Sequence, residues 1–191
     1  MKQFTKRVLC ILAMTLSGAN ALAATDAETV ALFKEAGPSA SFFSRSYGYA
    51  VFPTVAKGGM GIGAAHGKGG VYRNGKLTGS VTLNQLSIGL QLGGQAYSEI
   101  IFFEDQRAYD EFVSGNYEVN AGVSAVALTA GASASAGTQG ATSAAGSSKD
   151  DHTTDSVGYY KGMVIFTVTK GGLMYEASVA GQKFKFKPAE K

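Results

Sequence analysis

Cysteine is almost missing from this chain of 191 residues: Cys10 is the single residue of that type. It sits in a short apolar run, residues 8–16, preceded by Lys2, Lys6 and Arg7 and followed by Ala21-Leu22-Ala23. A basic start, a short apolar core and a small-x-small site form the layout of a secretory leader, and the core is too short to span a bilayer. Cleavage is expected after Ala23, with a retained N-terminal anchor as the alternative. Cys10 leaves with the leader, and the protein is not a lipoprotein, whose cysteine would follow the apolar core. Residues 24–191 then contain no disulfide, thiol nucleophile or zinc-thiolate site. An ordinary hydrophobic core must hold an exported domain of this kind, in the periplasm or at the envelope surface.

Net charge is the next scarcity. Removing the leader takes three basic residues from 17 and leaves 14 against 14 acids, so the remaining chain is neutral overall. That balance argues against bulk electrostatic binding of nucleic acid, and an anion site must come from local clustering. After the leader no segment is long and apolar enough for a membrane-spanning helix. Histidine is scarce too: His66 lies among glycines and His152 in a polar stretch. Neither has a carboxylate at triad spacing, and no nucleophile elbow is present. Asp150-Asp151-His152-x-x-Asp155 reads as a hydrated acidic loop rather than a metal site. No enzyme activity, metal or cofactor is expected.

Glycine, in contrast, is abundant, with 26 residues. The densest stretch runs from Thr54 to Arg73. Its start, Thr54-Val55-Ala56-Lys57-Gly58-Gly59-Met60, recurs as Thr167-Val168-Thr169-Lys170-Gly171-Gly172-Leu173, 113 residues later. The repeat predicts two copies of one hairpin, with Gly58, Gly59, Gly171 and Gly172 as structural turns. Gly59-x-Gly61-x-Gly63 could cradle a phosphate, but a dinucleotide fingerprint needs a helix after its glycines, and strand signals follow here.

Residues 26–36 read as a helix capped by Thr25 or Asp26, with Glu28 in its first turn, ended by Gly37-Pro38. A second short helix is expected over 40–47, its Phe42, Phe43 and Tyr47 packing on a sheet or facing a partner. Strands are expected over 49–56, 60–65 and 71–73, joined by glycine turns. Asn74-Gly75 signals a type I′ hairpin. The next strand alternates Val81 and Leu83, then shifts phase to Leu86, Ile88, Leu90 and Leu92, which predicts a β-bulge or bend at Asn84-Gln85. Gly93-Gly94 reads as a turn. Ile100-Ile101-Phe102-Phe103 is apolar on both faces and predicts a central buried strand, with Glu99 before it as a paired structural carboxylate. Asp105 caps a helix over 106–114. Residues 119–148 are rich in Ala, Gly and Ser, 138–154 read as a mobile loop, and strands resume after it. The fold class is α+β: a strongly bent, barrel-like antiparallel sheet with two or three peripheral helices.

Lys57 and Lys170 occupy equivalent bends of the two copies, and Lys68, Arg73 and Lys76 surround the neighbouring turns. Converging on one rim, they would attract phosphate head groups; otherwise they are solvated turn lysines. Lys183, Lys185 and Lys187 alternate with Phe184 and Phe186 and read as lysines protecting an edge strand.

Three ordered stretches resemble the SYLF domain family: Tyr49-Ala50-Val51-Phe52-Pro53-Thr54-Val55-Ala56-Lys57-Gly58-Gly59, then Gln91-x-Gly93-Gly94-Gln95-x-Tyr97-Ser98-Glu99-Ile100-Ile101-Phe102, then Lys170-Gly171-Gly172-Leu173-Met174-Tyr175-Glu176-Ala177. The resemblance implies a non-enzymatic lipid-binding module, similar to the exported single-domain members. Eukaryotic members bind phosphoinositides, and those of yeast also bind actin, which an exported chain does not meet. By the same resemblance, Val30, Leu32, Phe33 and Lys34 would form a membrane-facing helix, and Lys57, Lys68 and Arg73 would meet lipid head groups; the turn cluster adds Lys76 and Lys170 to that set. The expected partner is an anionic phospholipid surface. The other readings are an envelope interaction protein that assembles with itself or another protein, and a small integral barrel.

Overall fold

Residues 24–119, 125–128 and 157–190 are described by a computed structural model. The leader with Cys10, and residues 129–156 with His152, lie outside the described residues.

Helix α1 (Asp26–Glu35) starts at a reciprocal cap: Thr25 Oγ1 accepts from the Glu28 amide at 3.2 Å, and the Glu28 carboxylate accepts from the Thr25 amide at 2.8 Å. Two of the helix's orphan amides are satisfied this way. Gly37, at φ +49°, ends the segment and a 3-10 turn over Gly37–Ser39 follows. Helix α2 (Phe42–Arg45) is shorter than the expected 40–47, because the Ser46 amide and hydroxyl both donate to the Phe42 carbonyl and close it after one turn. Helix α3 (Gln106–Val113) is capped by Asp105, which accepts from the Ala108 amide at 2.8 Å.

Three long strands make the body of the sheet: β1 (Gly48–Arg73), β2 (Lys76–Phe103) and β5 (Met163–Pro188). β2 lies in the centre, antiparallel to both neighbours, as its doubly apolar end requires. β1 and β2 join through Asn74-Gly75, both at positive φ (51° and 73°), the type I′ turn that the dipeptide favours. Two short strands share the far edge of β5: β3 (Asn116–Val119) pairs antiparallel with Gln182–Lys185, and β4 (Ala125–Leu128) pairs parallel with Ile165–Val168. The fold is α+β with a largely antiparallel sheet. Among the described residues no pairing joins β1 to β3, so the sheet is open and not a closed barrel.

The Lys-Gly-Gly copies are not hairpin bends. β1 runs unbroken through Lys57-Gly58-Gly59, and β5 through Lys170-Gly171-Gly172. Gly93-Gly94 does not turn β2 either, since Gly58 pairs with Gly94 and Gly59 with Gly93. Lys57 lies level with Gly172 through Gln95, so the two copies flank β2 with a stagger of two residues, 172 minus 170. Glycines therefore line a crease across all three strands. At the crease β1 doubles back: a Cβ on Gly59 would overlap the Cα of Gly63, and Gly61 sits at φ +72°. Beyond it the second half of β1 lies against the first. A Cβ on Gly67 would come within 2.8 Å of Val55 Cγ2, and one on Gly69 would overlap the Val51 carbonyl oxygen. Without side chains the two halves approach at backbone distance, which glycine alone permits.

The folded sheet creates two cores. Between its halves, Ala50, Phe52, Val55, Ala65, Leu83, Ile101, Phe103 and Phe184 are buried, and α3 closes the mouth opposite the crease with Tyr109 and Phe112. Phe112 meets Phe103 and Phe184 at centroid distances of 4.7 and 5.1 Å, and Tyr109 donates to Thr78 at 2.8 Å. On the other face of the first half, Val51, Ile100, Phe102, Val164 and Phe166 are covered by Phe33 of α1 and Phe42 of α2. Phe42 stacks on Phe102 and meets Phe166 edge-on, so these helix aromatics pack on the sheet. Each such side chain contributes about 1.5–3 kcal/mol by leaving water.

Candidate functional site: the outer face of the second half-sheet

Among the described residues no helix lies across the sheet's outer face from Ile62 to Lys68 of β1, and α1 reaches only its far end, where Asp26 sits against Gly70. From Gly63 to Lys68, β1 alternates: Gly63, Ala65 and Gly67 point inward, while Ala64, His66 and Lys68 are exposed. β2 alternates opposite them, with Leu83, Gln85 and Ser87 buried and Asn84, Leu86 and Ile88 exposed. Directly opposed residues share a face, so the outer surface can be read in rows. Nearest the crease is Ile62 with Ile88, then Ala64 with Leu86, then His66 with Asn84 and Lys183, then Lys68 with Thr82 and Lys185. Lys187, opposite Ser80, follows. At the crease itself, Met60 pairs with Leu92.

This surface is apolar at one end and basic at the other. Met60 is 79% exposed, Ile88 72%, Leu86 70% and Ile62 69%. His66 Nδ1 and Asn84 Oδ1 lie 2.9 Å apart and mark the boundary. Lys68, Lys183, Lys185 and Lys187 are all exposed. Two acids border the band: Glu118 of β3 pairs with Lys183 at 2.7 Å, and Asp26 shares a shallow depression with Lys68 while accepting from Tyr72.

The shift of phase expected at Asn84-Gln85 is not a bulge. The pairing of β2 with β5 is continuous from Gly79 to Ala96, and that with β1 from Ser80 to Ile88. Instead β2 keeps its phase and exchanges its chemistry: Gln85 and Ser87 turn inward, and Leu86 and Ile88 outward. The irregularity in the β1 pairing falls later, between Ile62 and Met60. The apolar outer residues are thus the part of the site that hydrophobic patterning assigned to the core. Their signal was the phase change itself.

Gln85 belongs to a buried polar cluster. Gln182 donates to Gln85 Oε1 at 3.2 Å and to Glu99 Oε2 at 3.3 Å. Glu99 is 1% exposed, and its Oε1 has no hydrogen-bond partner. Burial outweighs the Gln182 bond and raises the Glu99 carboxyl to about 7. The carboxylate expected to be paired is therefore only half satisfied.

The expected basic cluster is divided. Lys57 and Lys170 lie near the crease on the two strands flanking β2, with Lys170 donating to Thr54 Oγ1 at 3.2 Å. Arg73 and Lys76 face each other across the Asn74-Gly75 turn, 13 residues beyond Met60, and Arg73 lies over the Tyr109 ring. Lys68 falls between them on the outer face. The β3 pairing also corrects the edge-strand account of Lys183 and Lys185: β5 is flanked on both sides there, so these lysines protect no open edge. The membrane-facing helix is corrected as well. Phe33 is fully buried, and Val30 and Leu32 are half-buried against the same core. Only Lys34 is exposed, 5.4 Å from the Phe43 ring. The apolar side of α1 is occupied by the sheet. Gly58, Gly59, Gly171 and Gly172 lie within strands at the crease and not in turns between strands.

No helix among the described residues is long and apolar enough to cross a membrane, which says nothing of crossing with strands. Among those residues, no three of His, Cys, Asp and Glu are grouped to hold a metal ion.

The family model Ysc84, described as "Las17-binding protein actin regulator", matches residues 84–190. The chain is also 29% identical over 161 residues to beta cell expansion factor A of Aeromonas veronii. That alignment covers 83% of this chain and 53% of the relative, so the chain spans about half the relative's length. No solved structure matches.

Proposed function

This chain belongs to the Ysc84 (SYLF) family, and we propose that within this family of interaction modules it is a non-enzymatic, peripheral lipid-binding protein. Its ligand is the anionic head-group layer of a phospholipid membrane, met at the cell envelope after export through the leader. The observation that carries the reading is the band of exposed Lys68, Lys183, Lys185 and Lys187 on one sheet face. Each basic side chain near an anionic surface contributes about 1 kcal/mol, and the attraction fades within a Debye length. An exposed band spread along a sheet face suits a surface of many phosphates better than one small ligand in a pocket.

Two double variants separate the candidate lysines. Lys68→Glu with Lys185→Glu reverses charge on the outer face, and Lys57→Glu with Lys170→Glu does so near the crease. In co-sedimentation with anionic vesicles the first pair is expected to abolish binding, and the second to weaken it less. If both bind like the parent protein, neither lysine set carries the contact.

A second reading draws on the exposed apolar residues: an envelope interaction protein assembling with its own kind. Lipid-independent oligomers in light scattering would favour it. The family description brings actin as a further partner, for which pelleting with filamentous actin is the corresponding assay.

A further inference from the structure

Five large apolar side chains, Met60, Ile62, Leu86, Ile88 and Leu92, stand in water at the crease, each more than 60% exposed. Scattered apolar surface residues need no explanation, but a contiguous set does. These are contiguous: Met60 opposes Leu92, Ile62 opposes Ile88, and Leu86 lies one row away beside Ala64. The same strand buries Gln85 and Ser87. β2 therefore keeps polar side chains inside while its leucine and isoleucine face out, an arrangement that folding of this chain alone does not favour.

We infer that this apolar crest enters the hydrocarbon of a lipid bilayer while the lysine rows behind it lie among the head groups. The inference rests on the lipid-binding reading above and gives it a depth and an orientation. Two features select a bilayer as the occupant. The first is shape: the patch is on the outer, convex side of the fold, opposite the face that buries Ala65, Leu83 and Gln85. A fluid acyl layer closes around a crest. The second is charge against depth. With a rise of about 3.3 Å per residue, the Ala64–Leu86 row lies about 7 Å from the Ile62–Ile88 row, the His66–Asn84 row about 13 Å, and the Lys68 row about 20 Å. Interfacial elements immerse their apolar face by about 5–10 Å. That depth takes up the Ile62–Ile88 and Ala64–Leu86 rows, leaves His66 and Lys183 among the head groups, and holds Lys68 and Lys185 just above the phosphates, within reach of their charge. α1 is free of this task, because its apolar side lies on the sheet.

The chain has no tryptophan, so an Ile88→Trp substitution places a single reporter in the crest of the full chain. Leu77→Trp, at an exposed position beside the hairpin turn, is the control. Vesicles contain phosphatidylglycerol with phosphatidylcholine brominated along its acyl chains. On binding, the position-88 reporter is expected to shift to the blue and to lose at least half its emission to the brominated chains, while the position-77 reporter stays accessible to aqueous iodide. Ile62→Gln with Ile88→Gln should keep the parent melting temperature and weaken vesicle binding at least tenfold. If the parent protein pellets with vesicles but the position-88 emission stays that of water, the crest does not insert and the inference fails, while the lipid reading stands. If the parent protein pellets with no vesicle, both fall. If the position-88 emission is already shifted without lipid, in oligomers, the crest is a contact between copies and the inference fails.

Discussion

Glu99 shows what a single residue can conceal in a sequence. Its place beside Ile100-Ile101-Phe102-Phe103 announces burial, yet nothing in the chain order places Gln182 opposite it or leaves Oε1 without a partner. The consequence is a pH dependence with a definite sign. The carboxyl is raised in the fold, to about 7 from the ordinary 4.5, so the folded state holds its proton more tightly than the unfolded chain. Stability is then highest below pH 4.5 as far as this group is concerned, and falls as pH rises to 7, by about 3 kcal/mol at most. Urea unfolding at pH 5 and pH 8 measures it. Glu99→Gln should flatten the difference and raise stability at pH 8 by about 1–3 kcal/mol; an unchanged slope would place the pH dependence elsewhere. Leu86 and Ile88 make the complementary case. Hydrophobic patterning sends them inward, and only their pairing with Ala64 and Ile62 shows them on the outside.

At the scale of elements, local signals are dependable where the physics is local. Thr25 with Glu28, Asp105 with Ala108 and Asn74-Gly75 mark helix starts and a turn within a few residues, and each sits where expected. Thr25→Ala should cost about 1 kcal/mol in thermal unfolding, the usual worth of an N-cap. The glycine pairs mislead because a turn and a fold-back within a strand need the same backbone freedom. What separates them is the pairing of Gly58 with Gly94 and Gly59 with Gly93, which joins residues more than 30 apart. The crease also divides the glycines of the two copies by function. A Cβ at Gly59 would overlap Gly63, whereas one at Gly171 meets nothing within 4 Å. Gly59→Ala should therefore destabilise by about 1–3 kcal/mol, as overpacked sites do, while Gly171→Ala should be near neutral. Equal melting temperatures for the two would contradict the fold-back of β1.

At the scale of the whole molecule, the class and a strong bend of the sheet were legible, and the place where the sheet folds on itself was not. Alternation and turn residues identify many strands, two main helices and a central doubly apolar strand. The doubling of β1, which puts Gly67 on Val55 and Gly69 on Val51, depends on contacts that periodicity does not encode. That doubling decides the site. It places α1 and α2 on one half-sheet and, among the described residues, leaves the other half's outer face without a helix across it, apolar at the crease and basic beyond it. Lysines that read as turn or edge decoration thus become one band, and the helix that read as a membrane contact becomes core. On the reading proposed above, this face meets an anionic lipid surface. Co-sedimentation of the leaderless chain with phosphatidylglycerol-containing and with purely zwitterionic vesicles, across rising salt, tests it most directly. Pelleting is expected with the anionic vesicles, weakening as salt screens the lysines, and little or none with the zwitterionic ones. Equal pelleting with both, or with neither, would contradict it.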